Sequence, residues 1–329
     1  MHPFTSRPTA SVAALGETRL IASIRRWLGT ASPPAPFGIG DDCAVLPPSR
    51  SRQLLTVDPV IHGVHFDDSV LPRAVGAKLL KRNLSDLAAM GGRPAAAVIS
   101  LALAPQVKLA WLEAFYRGLA VTARRFRVPI VGGDVATQPG GLVATLTLLG
   151  EVAGPRVLTR TGARTGDRIF VTGVLGGSLA SGHHHRFIPR LAEGAWLARQ
   201  SGVRSLMDVS DGLAKDLPAL TPAGARAELN TATLPRRRGC DVRAALCDGE
   251  DYELLFALNG KTETEKFQAA WRRAFPRTRL TCIGRFVQAS RPRAADALRL
   301  DDYQGFEHLR ELNGRKKAQA AQKQFGRKR

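Results

Sequence analysis

Ten of the 28 acidic residues in this chain fall in a few short motifs beside glycine, serine or an apolar run. They are Asp41 and Asp42 in "GIGDDCAVL", Asp58 in "LLTVDP", Asp86 in "NLSDLAAMGG", Asp134 in "VGGD", Asp208 and Asp211 in "MDVSDG", and Asp248, Glu250 and Asp251 in "CDGEDYE". Any one of them alone reads as a helix cap or a turn residue. As a set they ask for another explanation, because gathered carboxylates repel one another and burial raises the cost of their charge. A hard dication such as Mg2+ removes that cost, since it takes oxygen ligands. The chemistry this pattern points to is a carboxylate-held metal acting on phosphate.

The usual nucleotide machinery is missing. There is no GxxxxGK[ST] loop, no GxGxxG after a strand, and no HRD or DFG motif. ATP, if handled, is handled through acids and metals. The glycine turns in "VGGD" and "TGVLGGS" are expected to offer backbone N–H groups to phosphate. The three adjacent histidines, His183 to His185, point in different directions along any regular backbone and do not read as a zinc site.

These acids need elements to hold them. Hydrophobic residues make up 44% of the chain and charged residues 23%, enough apolar surface to build a core. Apolar spacing predicts helices over 16–29, 74–92 and 109–126 and strands over 53–60, 95–103, 128–134 and 141–152. The polar, proline-bearing stretch at 153–167 reads as a boundary. Beyond it come strands at 168–173, 251–258 and 280–286 and helices near 188–200 and 263–275. Strand and helix alternate in both halves, so the expected fold class is α/β or α+β with mixed sheets. The division expected is an N-terminal extension (1–15), a first domain (16–152), a second domain (153–312) and a basic tail (313–329).

Net charge is +20, from 48 basic and 28 acidic residues. Seven of the basic residues sit in "RKKAQAAQKQFGRKR" (315–329), and without them the net charge is +13. The tail reads as a solvated extension. No interleaved aromatics mark it as a nucleic-acid contact. No apolar run approaches the roughly 20 residues that span a bilayer, and prolines interrupt the N-terminus, so neither a membrane span nor a secretory leader is expected. Cys43, Cys240, Cys247 and Cys282 lack CxxC or zinc spacing and read as reduced thiols of a cytoplasmic protein.

In order and spacing, "GIGDDCAVL", "TVDPVIHGVHF", "NLSDLAAMGG", "VGGD", "LTRTGARTGD", "MDVSDGLAKDL" and "GEDYELLF" resemble the thiamine-monophosphate kinases of the aminoimidazole-ribonucleotide synthetase superfamily. The resemblance covers about 16–308. It implies two α/β domains of that fold, the first binding ATP and metal and pairing its sheet across a homodimer, with the site in a cleft between domains. It implies direct transfer of the γ-phosphoryl of ATP to thiamine monophosphate, assisted by several Mg2+ ions, with no acid/base residue.

Position by position, the resemblance makes Asp42, Thr56, Val57, Asp58, Asp86, Asp134, Asp208 and Asp211 metal ligands. It makes Gly133, Asp134, Arg160 and Ser210 ATP contacts, with Arg160 as the phosphate clamp. His65, Glu250 and Tyr303 become substrate contacts. Three departures stand out. Val57 replaces the family's usual Thr, harmless if that position ligates through its carbonyl and a lost ligand if through a hydroxyl. Asp248 turns "SGGED" into "CDGED", and Lys215 turns "SDGLASD" into "SDGLAKD". Two other readings remain open. One is another enzyme of the superfamily, such as a selenophosphate synthetase or a hydrogenase-maturation protein. For the selenophosphate synthetase the absence of Cys and Lys in 1–37 counts against it. The other is a degenerate member acting as a basic binding protein.

Overall fold

The computed structural model describes residues 2–35, 37–40, 43–293 and 298–307. Asp41, Asp42 and the basic tail lie outside the described residues. In chain order the elements are α1 (Glu17–Leu28), β1 (Gln53–Ile61), α2 (Pro72–Ala89), β2 (Gly92–Leu103), α3 (Leu109–Phe126), β3 (Ile130–Thr137), β4 (Leu142–Val152), β5 (Arg168–Thr172), α4 (His183–Arg186), α5 (Leu191–Arg199), β6 (Val203–Val209), α6 (Leu213–Leu220), β7 (Ala225–Leu229), α7 (Val242–Cys247), β8 (Glu253–Leu258), α8 (Thr264–Ala274) and β9 (Leu280–Gln288).

The chain forms two compact units. The first comprises Met1–Gly162 and His185–Asp208, the second Ala163–His184 and Val209–Arg329. The sequence places the division at 152/153 and does not foresee that 185–208 returns to the first unit. The reason is local. Gly194 on α5 lies so close to the Ala88 carbonyl of α2 that a side chain there would collide with it. Close backbone approach, rather than an apolar stripe, fastens α5 to α2, and a single glycine carries little signal in sequence.

In the first unit a four-stranded sheet runs in the order β1-β4-β2-β3. β2 and β3 pair in parallel, with α3 as the crossover helix, while β4 is antiparallel to both β1 and β2. α2 and α3 cover one face. Their Leu79, Leu80, Leu84, Trp111, Phe115 and Leu119 join Ile99, Leu146 and Leu148 of the sheet in a single core. α2 begins with Pro72, whose fixed φ suits the first helical turn. It runs over β1 and brings Arg82 and Asp86 onto that strand's Asp58 and Thr56.

The second unit is built on strands in the order β8-β5-β9-β7. β5 lies antiparallel between β8 and β9. Phe170 and Phe256 stack across that pair with ring centroids 5.4 Å apart. α8 covers them with Phe267 and the fully buried Trp271, whose indole N–H donates to the Thr278 carbonyl at 2.8 Å. No helix among the described residues is long and apolar enough to cross a membrane.

Candidate active site

The first unit gathers an acid cluster from three separate stretches of sequence. Strand alternation puts Thr56 and Asp58 of β1 on the face toward α2. The Thr56 hydroxyl donates to Oδ2 of Asp86. Oδ1 of Asp58 lies 3.2 Å from Nη2 of Arg82, whose Nη1 donates to the Pro59 carbonyl at 2.7 Å. Asp208, near the end of β6, is buried and accepts from the Ser85 hydroxyl at 2.6 Å.

The electrostatics follow from that packing. Burial pushes the Asp86 carboxyl up, and the Asp58 charge adds to the rise, with the Thr56 hydroxyl, Arg82 and Arg160 opposing it. Burial also pushes Asp208 up, Asp86 adds, and the Ser85 hydroxyl and Arg160 oppose. These carboxylates hold their charge only at a cost, and Arg160 is one of the cations that reduces it. As they stand, no three His, Cys, Asp or Glu side chains among the described residues form a group able to hold a metal ion. Each carboxylate is instead occupied by a hydroxyl or a guanidinium, which a cation would have to displace.

Other expected site residues of the first unit lie apart from this cluster. Asp134 is exposed on β3, the opposite edge strand from β1, with β4 and β2 between them. Gly133 and Asp134 border a shallow open cleft of about 70 Å³, walled by Ile21, Ile24, Ile39 and Tyr116. His65 is buried. Its Nδ1 accepts the Ile61 N–H at 3.2 Å, which places the proton of the neutral ring on Nε2. Its carbonyl accepts from Nζ of the fully buried Lys78 at 2.9 Å. Lys81, one turn further along α2, donates to the carbonyls of His185 and Phe187. Burial, aided by the nearby Arg125 and Lys78, lowers its pKa to about 8.

In the second unit "VSDG" and "GEDYE" form one structure. The Glu250 N–H donates to the Ser210 carbonyl at 2.7 Å, and the Tyr252 N–H donates to the Val209 carbonyl at 2.8 Å. Making both bonds forces Glu250 (φ 65°) and Tyr252 (φ 53°) into the left-handed region, a strained state for residues with a Cβ. The Ser178 hydroxyl fixes the Glu250 carbonyl at 2.6 Å. The Ser210–Asp211 turn is held from the other side by Asp216, whose Oδ2 accepts both backbone N–H groups, at 2.9 Å and 3.0 Å.

The glycine turn "TGVLGGS" does not meet the sequence expectation. Its amides are already used: Gly173 donates to the Arg279 carbonyl, Gly176 to Asp251 and Gly177 to Asp248. Carboxylates from the "CDGED" loop occupy the places a phosphate would take.

Residues 40–152 match the family described as AIR synthase related protein, N-terminal domain. Over 246 residues the chain is 38% identical to the thiamine-monophosphate kinase of Rhodopirellula baltica, covering 69% of this chain and 77% of that protein. This chain belongs to the thiamine-monophosphate kinase family. The Stenotrophomonas maltophilia thiamine-monophosphate kinase structure aligns with a TM-score of 0.68 at 30% identity, over 84% of this chain and 95% of that one. A structure of AaThiL complexed with AMPPCP and TMP aligns with a TM-score of 0.66 at 29% identity, over 93% of this chain and 100% of that one.

As a thiamine-monophosphate kinase, the chain shows structural reasons for its departures. The Val57 side chain points away from the acid cluster and is 58% exposed, so a hydroxyl there would not reach Asp86, while the backbone carbonyl is unchanged by the substitution. Asp248 caps Gly177 with a hydrogen bond of 2.8 Å. The residues sequence reasoning missed are the holders: Arg82, Ser85, Lys78, Ser178 and Asp216. Arg82 and Asp86 are four apart on one helix face, which is a usable signal. Ser178 gives none, being far in sequence from everything it fixes.

Proposed function

We propose that this thiamine-monophosphate kinase works by direct in-line transfer between two phosphates, with Mg2+ held by the acid cluster. Its activity is the ATP-dependent phosphorylation of thiamine monophosphate. The bond from the γ-phosphorus to the bridging oxygen breaks, a bond from an acceptor phosphate oxygen forms, and ADP leaves with the bridging electron pair. The attacking oxygen is already ionised near neutral pH, so no side chain need remove a proton. The chain's task is to bring two polyanions together and align them.

The observation that carries this reading is the cluster of Asp58, Asp86 and Asp208. Its donors are all oxygens, and mutual repulsion plus burial make its charges costly, which suits a hard dication. Thr56, the Val57 carbonyl, Asp58, Asp86 and Asp208 are the residues that would hold an ion there, while Asp42, Asp134 and Asp211 are ligands by the family resemblance alone. Bound there, Mg2+ supplies the positive charge that lets the two phosphates approach and stabilises the leaving group. Arg160 adds a fixed cation for phosphate oxygens. The apolar cleft beside Gly133 and Asp134 suits the flat face of adenine, and Ser210 sits on a turn made rigid by Asp216. His65, Glu250 and Tyr303 are the residues that would contact thiamine monophosphate, Tyr303 with its ring against the cationic thiazolium.

The protein acts as a homodimer in this reading. Val57 and Val98 both pair with Thr147, so they share a sheet face with Leu55. All three are exposed, with Leu55 at 72%, which fits burial against a second copy. Four free thiols fit the cytoplasm. A coupled assay of ADP release tests the whole reading. Turnover should require thiamine monophosphate and stop in EDTA, and Asp86→Asn should lower it at least a hundredfold while circular dichroism is unchanged. Undiminished turnover in EDTA, or near wild-type turnover in the variant, overturns it.

A further inference from the structure

Lys215 departs from the family pattern, and the structure gives it two partners. Its Nζ lies 2.9 Å from Oδ2 of Asp211 and donates to the Phe306 carbonyl at 2.6 Å. The Phe306 N–H donates back to the Asp211 carbonyl at 2.8 Å. Residues 211 and 306 are thus joined twice, once directly through the backbone and once through Lys215. Gly305 lies flat against this junction, and a side chain there would run into the Asp211 carbonyl and Cβ of Lys215. The backbone of Gln304 hydrogen-bonds the Cys247 thiol at the end of α7.

Three consecutive residues, Gln304 to Phe306, are therefore fastened immediately after Tyr303. The anchor is itself firm, because Asp216 holds the Ser210 and Asp211 amides. The fastened segment is not. Between β9 and residue 307 the only regular structure described is the three-residue turn Leu300–Asp302. A short side chain such as serine would carry its hydroxyl one bond beyond Cβ and would not span this gap. The four-carbon stem of lysine does.

We propose that Lys215 is a positioning residue that clamps the Tyr303 segment onto the Asp211 turn and so sets the affinity for the acceptor substrate. The inference rests on the reading of Tyr303 as a contact to thiamine monophosphate. Ordering the segment before the acceptor arrives removes that ordering cost from binding. The ion pair is about one-third exposed on the lysine side, so the clamp is worth a modest factor rather than orders of magnitude.

Lys215→Met tests it, because methionine keeps a stem over Gly305 and removes the ammonium; Lys215→Arg restores a cation. Hydrogen exchange of 300–307 is measured in the ligand-free protein, and KM is measured for both substrates. In the Met variant the Phe306 amide should exchange at least tenfold faster. KM for thiamine monophosphate should rise about three- to tenfold with KM for ATP within twofold, and Arg should reverse both changes. Unchanged exchange overturns the clamp, and an equal rise in both KM values makes Lys215 merely structural. Faster exchange with both KM values unchanged shows that Lys215 fastens the segment but overturns the proposal that this fastening sets the affinity for the acceptor. A wild-type protein with no turnover of thiamine monophosphate refutes the kinase reading alone, since the exchange result stands independently.

Discussion

Replacing Asp251 by Asn should change how stability depends on pH, and the structure fixes both sign and size. Asp251 is fully buried between Glu250 and Tyr252. Its Oδ2 accepts the Gly176 N–H at 2.9 Å, and its Oδ1 lies 3.4 Å from Nη2 of Arg237. Burial raises its pKa from 3.8 to about 7, the Glu253 charge adds to the rise, and Gly176 and Arg237 oppose it. A carboxyl whose folded pKa is raised contributes stability that is fully present below pH 4. That contribution is lost as pH rises from about 4 to about 7, because over that window the unfolded chain has ionised the group and the folded protein has not. Each pH unit in that window is worth about 1.4 kcal/mol. From 3.8 to about 7 the loss is at most about 4 kcal/mol, and about 2 kcal/mol if water and Arg237 relax around the ionised group. Asparagine keeps a carbonyl for the Gly176 N–H and does not titrate. Urea unfolding of both proteins at pH 4.5, 6, 7 and 8 should show the wild type losing about 2–3 kcal/mol relative to the variant across the series. Parallel stability curves, differing by a constant at every pH, would refute the reasoning.

Two further outcomes are expected. Tyr303→Ala should raise KM for thiamine monophosphate by about three- to thirtyfold, since a ring facing a desolvated cation gains about 0.5–2 kcal/mol, and should leave KM for ATP unchanged; an equal effect on both constants would assign the residue to the fold instead. Leu55→Asp combined with Val98→Asp places two charges on the open sheet face and should give a monomer by light scattering; a dimer of unchanged stability would show that this face is not the contact.

Much of the site is legible in the sequence because its chemistry needs particular atoms. Carboxylates beside small residues can be counted in a linear string, and their company with a missing phosphate loop points to metal-assisted phosphoryl transfer. Strand alternation by itself places Thr56 and Asp58 on one face. The departures are visible as letters, but their consequences are not. Val57 faces away from the acids, and Asp248 caps Gly177.

What only the tertiary structure decided is which acid meets which partner. Asp58, Asp86 and Asp208 lie on two strands and a helix, and nothing in their spacing says that the Ser85 hydroxyl would hold Asp208 or that Thr56 would hold Asp86. The glycine turn "TGVLGGS" reads as a phosphate cradle and is filled instead by the chain's own carboxylates. The strain at Glu250 and Tyr252, and the clamp from Lys215 to Phe306, arise from contacts between segments 40 to 91 residues apart. Residue type sets what a side chain is able to bind. Its partner is set by chain closure over long sequence distances, where packing of the whole core fixes positions that local propensity leaves free.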